Sequence, residues 1–337
     1  MFSDSILYLK NDLTNEIFDT KAKIIKLETA DNLSFHVSPN LDKSDWSIEP
    51  SCSLQEMYRQ RAQQIRNTYD YVVLYFSGGS DSITAFNAFV KNNIHIDEVV
   101  VYTNGDTTDT KINGMYAIRY LQSIGYKGFV KNINLNFEVF QKIIEQQTWK
   151  SYESFSGLLH SMYRWRLDFF EEHGYFDRTI RSKNVAHVFS GMFPTIMRTD
   201  NDYYSVLNIY KIMHSDANPS NVQFFTSEDA PEVHIKQSHV LARAVAKLDL
   251  EKEHAESARH KLAIRDEYEI SVSSVKNSGV TNKDKIKFDS QHNRLMKVYA
   301  NKVDFIKQYD SVLEHFNSFN TIDLSQFNKK YFLFLEQ

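Results

Sequence analysis

A chain of 337 residues, 42% hydrophobic and 24% charged, carries enough apolar material for one large or two ordinary domains, and its composition is not that of a disordered polymer. A net charge of -4 gives no global attraction to nucleic acid. No apolar run reaches the roughly 18 residues of a membrane span, and the single cysteine, Cys52, excludes an intrachain disulfide, a Cys-Xaa-Xaa-Cys redox pair and a multi-cysteine zinc site. Residues 1–6 lack the basic segment and long apolar core of a secretory signal, so a cytoplasmic location is expected.

Short β-like runs at 6–9, 23–27 and 33–37 predict a small β-rich element over residues 1–52. Ser53 and Glu56 then form an S-x-x-E capping box, and Leu54, Tyr58, Ala62 and Ile65 repeat at helical spacing, which predicts a helix over 53–68. Residues 71–76 (Tyr-Val-Val-Leu-Tyr-Phe) are continuously apolar, as in a parallel-sheet strand buried on both faces. A Ser/Gly loop follows, and Ile83, Phe86 and Val90 mark the next helix. A second strand is expected at 98–103, a helix around Met115, Ile118 and Leu121, and a third strand at 128–135. This alternation predicts an α/β fold with a doubly wound parallel sheet, its nucleotide-binding domain spanning 53–215.

Residues 137–182 read as helical and strongly aromatic, including Trp149, Tyr163 and Trp165. Helix packing explains them, and a stacking platform for bases is the alternative. Another strand at 185–189 ends in Ser190-Gly191. The region 216–337 reads as mostly helical (241–265 and 292–316), interrupted by a polar stretch at 271–284. The tail at 329–335 reads as a docked strand or buried tail.

The loop Ser77-Gly78-Gly79-Ser80-Asp81-Ser82 joins a strand to a helix. Paired glycines let the backbone turn sharply and approach an anion closely. The first N–H groups of the helix point outward at the positive end of its dipole, and three hydroxyls add donors. Such a loop makes a phosphate cradle. A carboxylate within it, Asp81, fits as a helix cap or as an oxygen ligand for Mg²⁺ held on phosphates. On this reading a β-carbon on Gly79 would fill phosphate space and oppose a positive φ, and Ser77 and Ser82 would both turn their hydroxyls to the pyrophosphate.

The loop lacks the lysine and spacing of a Walker A motif and is not G-x-G-x-x-G. It matches S-G-G-x-D-S and so resembles the phosphate loop of the ATP pyrophosphatase (PP-loop, adenine nucleotide α-hydrolase-like) superfamily. The resemblance is specific over residues 70–105 and extends more loosely over 53–195. It implies ATP and Mg²⁺ as cofactors, a loop that holds the β and γ phosphates, attack by a substrate oxygen on the α phosphorus, and resolution of the adenylate by an amine, ammonia or sulfur nucleophile. The strand ending in Ser190-Gly191 resembles the synthetase domain of asparagine synthetase-like enzymes, where such a pair lies beside the pyrophosphate. There an acidic run follows; here Met192-Phe193-Pro194-Thr195 follows, and the acids arrive at Asp200 and Asp202. The family's cysteine-dependent branches lack their thiols here, and Phe2 stands where an amidohydrolase of the N-terminal-nucleophile type begins with Cys. An amide- or amine-forming ligase with an external amine is the expected function.

Asn104 and Asp106 end the second strand, the edge where α/β sheets bind ligands; they contact ribose or acceptor, or they form an ordinary turn. Lys150 and Arg198 are candidates to neutralise the α-phosphate, or they are solvated surface charges. His234 and His239 are five apart, which fits no familiar zinc spacing, so a substrate-contacting loop or helix start is expected at 231–239. Glu228, Asp229 and Glu232 form an acidic loop or add a cation ligand. The expected acceptor is a small molecule or peptide. Two alternatives stand beside the ligase: a modifier of a nucleobase in tRNA or DNA, which the net charge does not favour, and a nucleotide-binding regulator without turnover.

Overall fold

The computed structural model of the protein describes residues 7–18, 27, 29–108, 114–145, 184–190, 194–198, 202–207, 221–246, 297–308 and 329–335. Lys150, Gly191, the expected strand at 23–26, the parts 146–182, 247–265, 292–296 and 309–316 of the stretches expected to be helical, and the polar stretch at 271–284 lie outside them.

Three sheets organise the described residues. The first is antiparallel, order β2-β1-β3, from β1 (Leu7–Asn11), β2 (Ile17–Phe18) and β3 (Leu33–Val37), followed by the short helix α1 (Pro39–Lys43). The central sheet has five strands, all parallel, in the order β10-β7-β4-β5-β6. They are β4 (Tyr71–Tyr75), β5 (Glu98–Thr103), β6 (Val130–Asn134), β7 (Val185–Phe189) and β10 (Asn221–Gln223). From β4 the chain builds outward through β5 and β6, then returns to lay β7 and β10 on the other side. The strand order therefore reverses between β4 and β7, and such a switch point opens a crevice at the carboxyl ends of the strands.

Helices α2 (Leu54–Thr68), α3 (Ser80–Val90), α4 (Met115–Ser123) and α6 (Pro231–Ala246) pack on this sheet; α5 (Phe137–Glu145) follows β6. In α2 the Ser53 hydroxyl accepts from Glu56 N at 3.2 Å, one half of the expected capping box. Glu56 spends its carboxylate on Arg59 and Gln60 instead. The buried face of α2 meets Val72, Leu74 and Phe76, while Val73 and Val100 on the opposite sheet face are also fully buried. Burial on both faces is why β4 reads as an unbroken apolar run and β5 as one over residues 99–102.

The parallel sheet takes its fifth strand from 221–223 and a core helix from 231–246, both beyond the boundary expected at 215. The third sheet is antiparallel, order β11-β9-β8, made of β8 (Thr195–Arg198), β9 (Tyr203–Leu207) and β11 (Lys329–Leu333). The C-terminal tail thus docks as a strand, as expected. The N-terminal element is sewn to this region. Trp46 stacks on Tyr331 at 4.4 Å, Lys236 reaches Glu49 at 2.6 Å, and Arg243 pairs with Glu49 as well. Val37, Leu41, Trp46, Leu207, Ile235 and Leu333 form a second apolar core there.

Candidate functional site

The loop begins where β4 runs out of partners. Phe76 N still donates to Val100 O at 2.8 Å, and the backbone then turns at Gly78 with φ +72°. A β-carbon on Gly78 would lie 2.7 Å from Ala117 N and 2.9 Å from Ala117 Cα, so the loop rests directly on the first turn of α4. The positive φ belongs to Gly78 and not, as expected from the sequence, to Gly79. Gly79 is the N-cap of α3 at φ -76°, ψ 163°, a conformation open to any residue. The physical reason is the order of events in the turn: the reversal is complete at Gly78, and Gly79 already leads extended into the helix. A β-carbon on Gly79 would meet only the Ser77 hydroxyl, at 3.3 Å, and would otherwise project into open space.

The hydroxyls divide their roles. Ser82, 3% exposed, donates to Gly79 O at 3.0 Å and lies 3.1 Å from Ser77 Oγ. It braces the loop from beneath, which differs from the expectation that it faces a ligand. Ser77 is exposed, and its Oγ accepts from Gly79 N at 3.3 Å. Ser80 Oγ donates to Asp81 Oδ1 at 2.7 Å, which holds a carboxylate in the first turn of α3. No side chain caps that turn, so its N–H groups retain the donor capacity that a helix start presents to an anion.

Beside the loop, α4 starts at Gly114, whose β-carbon would fall 2.0 Å from Tyr102 O. That contact seats the α4 N-terminus on the end of β5. The next turn carries Asn104 and Asp106. Asn104, 3% exposed, accepts from Asp106 N at 2.9 Å and donates to the Tyr299 hydroxyl at 3.0 Å. Tyr299 donates to Asp106 Oδ2 at 2.9 Å, and the same oxygen accepts from Phe137 N, the start of α5, at 2.6 Å. Burial raises the Tyr299 phenol well above its ordinary range, donation from Asn104 opposes that, and the Asp106 carboxylate adds to it.

On the other side of β4, β7 pairs with it up to Leu74↔Val188, and Ser190 directly follows the end of β7. One face of these strands is aromatic: Tyr75 stacks on Phe189 at 4.4 Å, and its hydroxyl is 3.1 Å from His187 Nδ1. Burial pushes the His187 imidazole down to about 4, so it is neutral at neutral pH. Sequence reasoning missed Tyr75, His187 and Tyr299. Period-two alternation along 71–75 and 185–189 signals the first two, because it sets them on one face of neighbouring strands. Nothing local signals the third.

The other candidates are placed elsewhere. Arg198 is the last residue of β8, in the antiparallel β8–β9 hairpin and not in the parallel sheet. Residues 231–239 start a helix, as one of the expectations had it, but they are no substrate loop: His234, Gln237, Ser238 and His239 are all buried against protein. His234 Nδ1 lies 2.6 Å from Thr226 Oγ1, His239 Nε2 lies 2.8 Å from Trp46 O, and Gln237 donates to the Tyr58 hydroxyl. Among Glu228, Asp229 and Glu232, Asp229 pairs with buried Arg61 at 2.9 Å. Burial raises its carboxyl, and Arg61 outweighs that and holds it below the ordinary range. A cleft of about 270 Å³ between α2 and the second half of α3, lined by Glu56, Arg59, Asn87 and Lys91, lies at the far end of α3 from the loop.

No protein-family model matches this chain, and no curated protein matches it. Among the described residues, no group of three His, Cys, Asp or Glu side chains is arranged to hold a metal ion by itself.

Proposed function

We propose that this protein is an ATP-using enzyme of the PP-loop type that cleaves ATP between its α and β phosphates. The single observation that carries the reading is the Ser77–Ser82 loop, with its S-G-G-x-D-S composition, standing at the carboxyl end of β4 next to the point where strand order reverses. The arrangement of strands and helices supports the finer assignment to a doubly wound nucleotide-binding fold.

In this reading the backbone N–H groups at the start of α3 and the Ser77 hydroxyl receive the β and γ phosphates. Open space over Gly79 is the cradle, and a methyl group there would fill it. The donors are held in place before the reaction by Gly78 against Ala117 and by the Ser82 brace. Charge growing on the departing pyrophosphate therefore meets fixed dipoles without reorganisation. Mg²⁺, when bound, neutralises phosphate charge as a Lewis acid, and because it travels largely on the phosphates with few protein carboxylates, Asp81 alone fits it. Ser190 borders the same crevice. An acceptor oxygen attacks the α phosphorus, and an amine or ammonia from outside the chain displaces AMP.

Gly79→Ala tests the cradle. Calorimetry with Mg²⁺ present is expected to show ATP binding to the unaltered protein and its loss in the variant, while circular dichroism shows an intact fold. ATP affinity equal to the unaltered protein's would make residues 77–82 an ordinary turn.

A further inference from the structure

Asn104 and Asp106 stand at the end of the strand following the phosphate loop's own strand, 25 and 27 positions after Gly79. In dinucleotide-binding folds the corresponding strand end carries an acid that hydrogen-bonds a ribose hydroxyl. Here that turn is not left to its own stiffness. A segment almost two hundred residues away in the chain, 297–308, docks on it through one phenol. Tyr299, 3% exposed, donates to Asp106 Oδ2 and accepts from Asn104 Nδ2. Its ring packs with Phe137 at 5.2 Å and Phe305 at 5.7 Å, and Lys302 lies over Phe137. Both bonds to the Asp106 carboxylate described above fall on Oδ2, and the residue is solvent-exposed. From this turn an unbroken line of contacts leads to the phosphate loop: Gly114 against Tyr102 O at the end of β5, then Ala117 of α4 against Gly78.

We propose that Tyr299 is a positioning residue for the nucleoside half of the nucleotide. Its hydroxyl fixes the Asn104–Asp106 turn so that Asp106 presents one carboxylate oxygen to the ribose diol, while the phosphate loop holds the other end of the molecule. The inference rests on the ATP reading of the loop and adds to it the part of the chain that recognises the nucleoside. A buried phenol bridging an amide donor and a carboxylate acceptor suits this task, because it leaves the turn no alternative pairing without stranding a polar group.

The test separates the two halves of the ligand, using ATP and inorganic pyrophosphate as probes with Mg²⁺ in calorimetry. Tyr299→Phe keeps the ring in its aromatic cluster and removes only the bridge. It is expected to weaken ATP binding about tenfold, the order of a lost hydrogen bond to a charged group, and to leave pyrophosphate binding unchanged. Asn104→Ala, which cuts the bridge from the other side, is expected to give the same pattern, and the double variant no further loss. Unchanged ATP affinity in Tyr299→Phe overturns the inference and leaves the phosphate-loop reading standing. Parallel losses for ATP and pyrophosphate overturn it too, because they mark general loosening of the site. An unaltered protein that binds neither probe overturns both.

Discussion

Replacing Gly78 by alanine imposes two separate penalties that can be worked from the geometry. The residue must hold φ near +72°, which costs about 1–2 kcal/mol once a β-carbon is present. That carbon would also sit 2.7 Å from Ala117 N and 2.9 Å from Ala117 Cα. Both are backbone atoms of a helix and cannot rotate away, so the loop or α4 must shift at an overpacking cost of about 1–3 kcal/mol. The sum, about 2–5 kcal/mol, is a large share of the roughly 5–15 kcal/mol that holds a domain folded. Gly79→Ala has no positive φ to hold and meets only the Ser77 hydroxyl, at 3.3 Å, a side chain that can give way, so it forfeits little beyond the N-cap preference of glycine over alanine, at most about 1 kcal/mol. At about 2–4 °C per kcal/mol, Gly78→Ala is expected to melt roughly 4–20 °C below the unaltered protein, and Gly79→Ala within about 4 °C of it. Thermal melts by circular dichroism without nucleotide measure both. Equal melting temperatures, or a larger loss in Gly79→Ala, would refute the assignment of the turn to Gly78.

Asp81→Asn is expected to reduce Mg²⁺-dependent ATP affinity about tenfold or more while costing stability only the helix-dipole contribution of about 0.3–1 kcal/mol; retained affinity with a lowered melting temperature would make Asp81 a helix-start residue alone. Arg61→Ala removes a buried guanidinium that serves Gln223 O, Phe224 O and Asp229 together. A loss of about 3–5 kcal/mol in urea titration is expected, and a loss under about 1 kcal/mol would show that this clamp between α2 and β10 is dispensable. His187 has its folded pKa lowered to about 4 from 6.5 by burial, so the unfolded chain binds the extra proton first. Its contribution is complete above pH 6.5 and is lost as pH falls toward 4, by up to about 3 kcal/mol and less in proportion to the exposure the ring keeps. His187→Gln should flatten the stability profile across that window, and an unchanged slope would contradict the burial of a neutral imidazole.

The sheet was legible where its strands are buried on both faces. The run at 71–76 is continuous, and 99–102 is apolar throughout, because Val73 and Val100 on one face and Val72, Leu74, Val99 and Val101 on the other are all sealed from water. Ser53 announced α2 for an equally local reason, its bond to Glu56 N. What escaped depends on distant partners. β10 is three residues long with polar ends, and only pairing with β7 makes it a strand. The polar run in 231–239 resembles a ligand loop until Thr226, Tyr58 and Trp46 arrive to bond it. Nothing local in 195–198 and 203–207 announces β8 and β9 as a sheet, to which the tail strand β11 adds the third member.

At the candidate site, composition alone singles out the loop, since two glycines and three hydroxyls around one carboxylate at a strand-to-helix junction suit an anion. Which glycine bears the positive φ depends on where α4 comes to rest against Gly78. That contact joins residues 78 and 117, and no pattern within either segment encodes it. The bridge from Tyr299 to Asn104 and Asp106 spans still more of the chain.

Product identity tests the central claim most directly. ATP labelled in its α phosphate, incubated with the protein, Mg²⁺ and pooled amino acids, nucleosides and tRNA, then resolved by chromatography, is expected to yield labelled AMP or an adenylated acceptor together with pyrophosphate. Labelled ADP and free phosphate as the main products would place the cut between the β and γ phosphates and contradict the account.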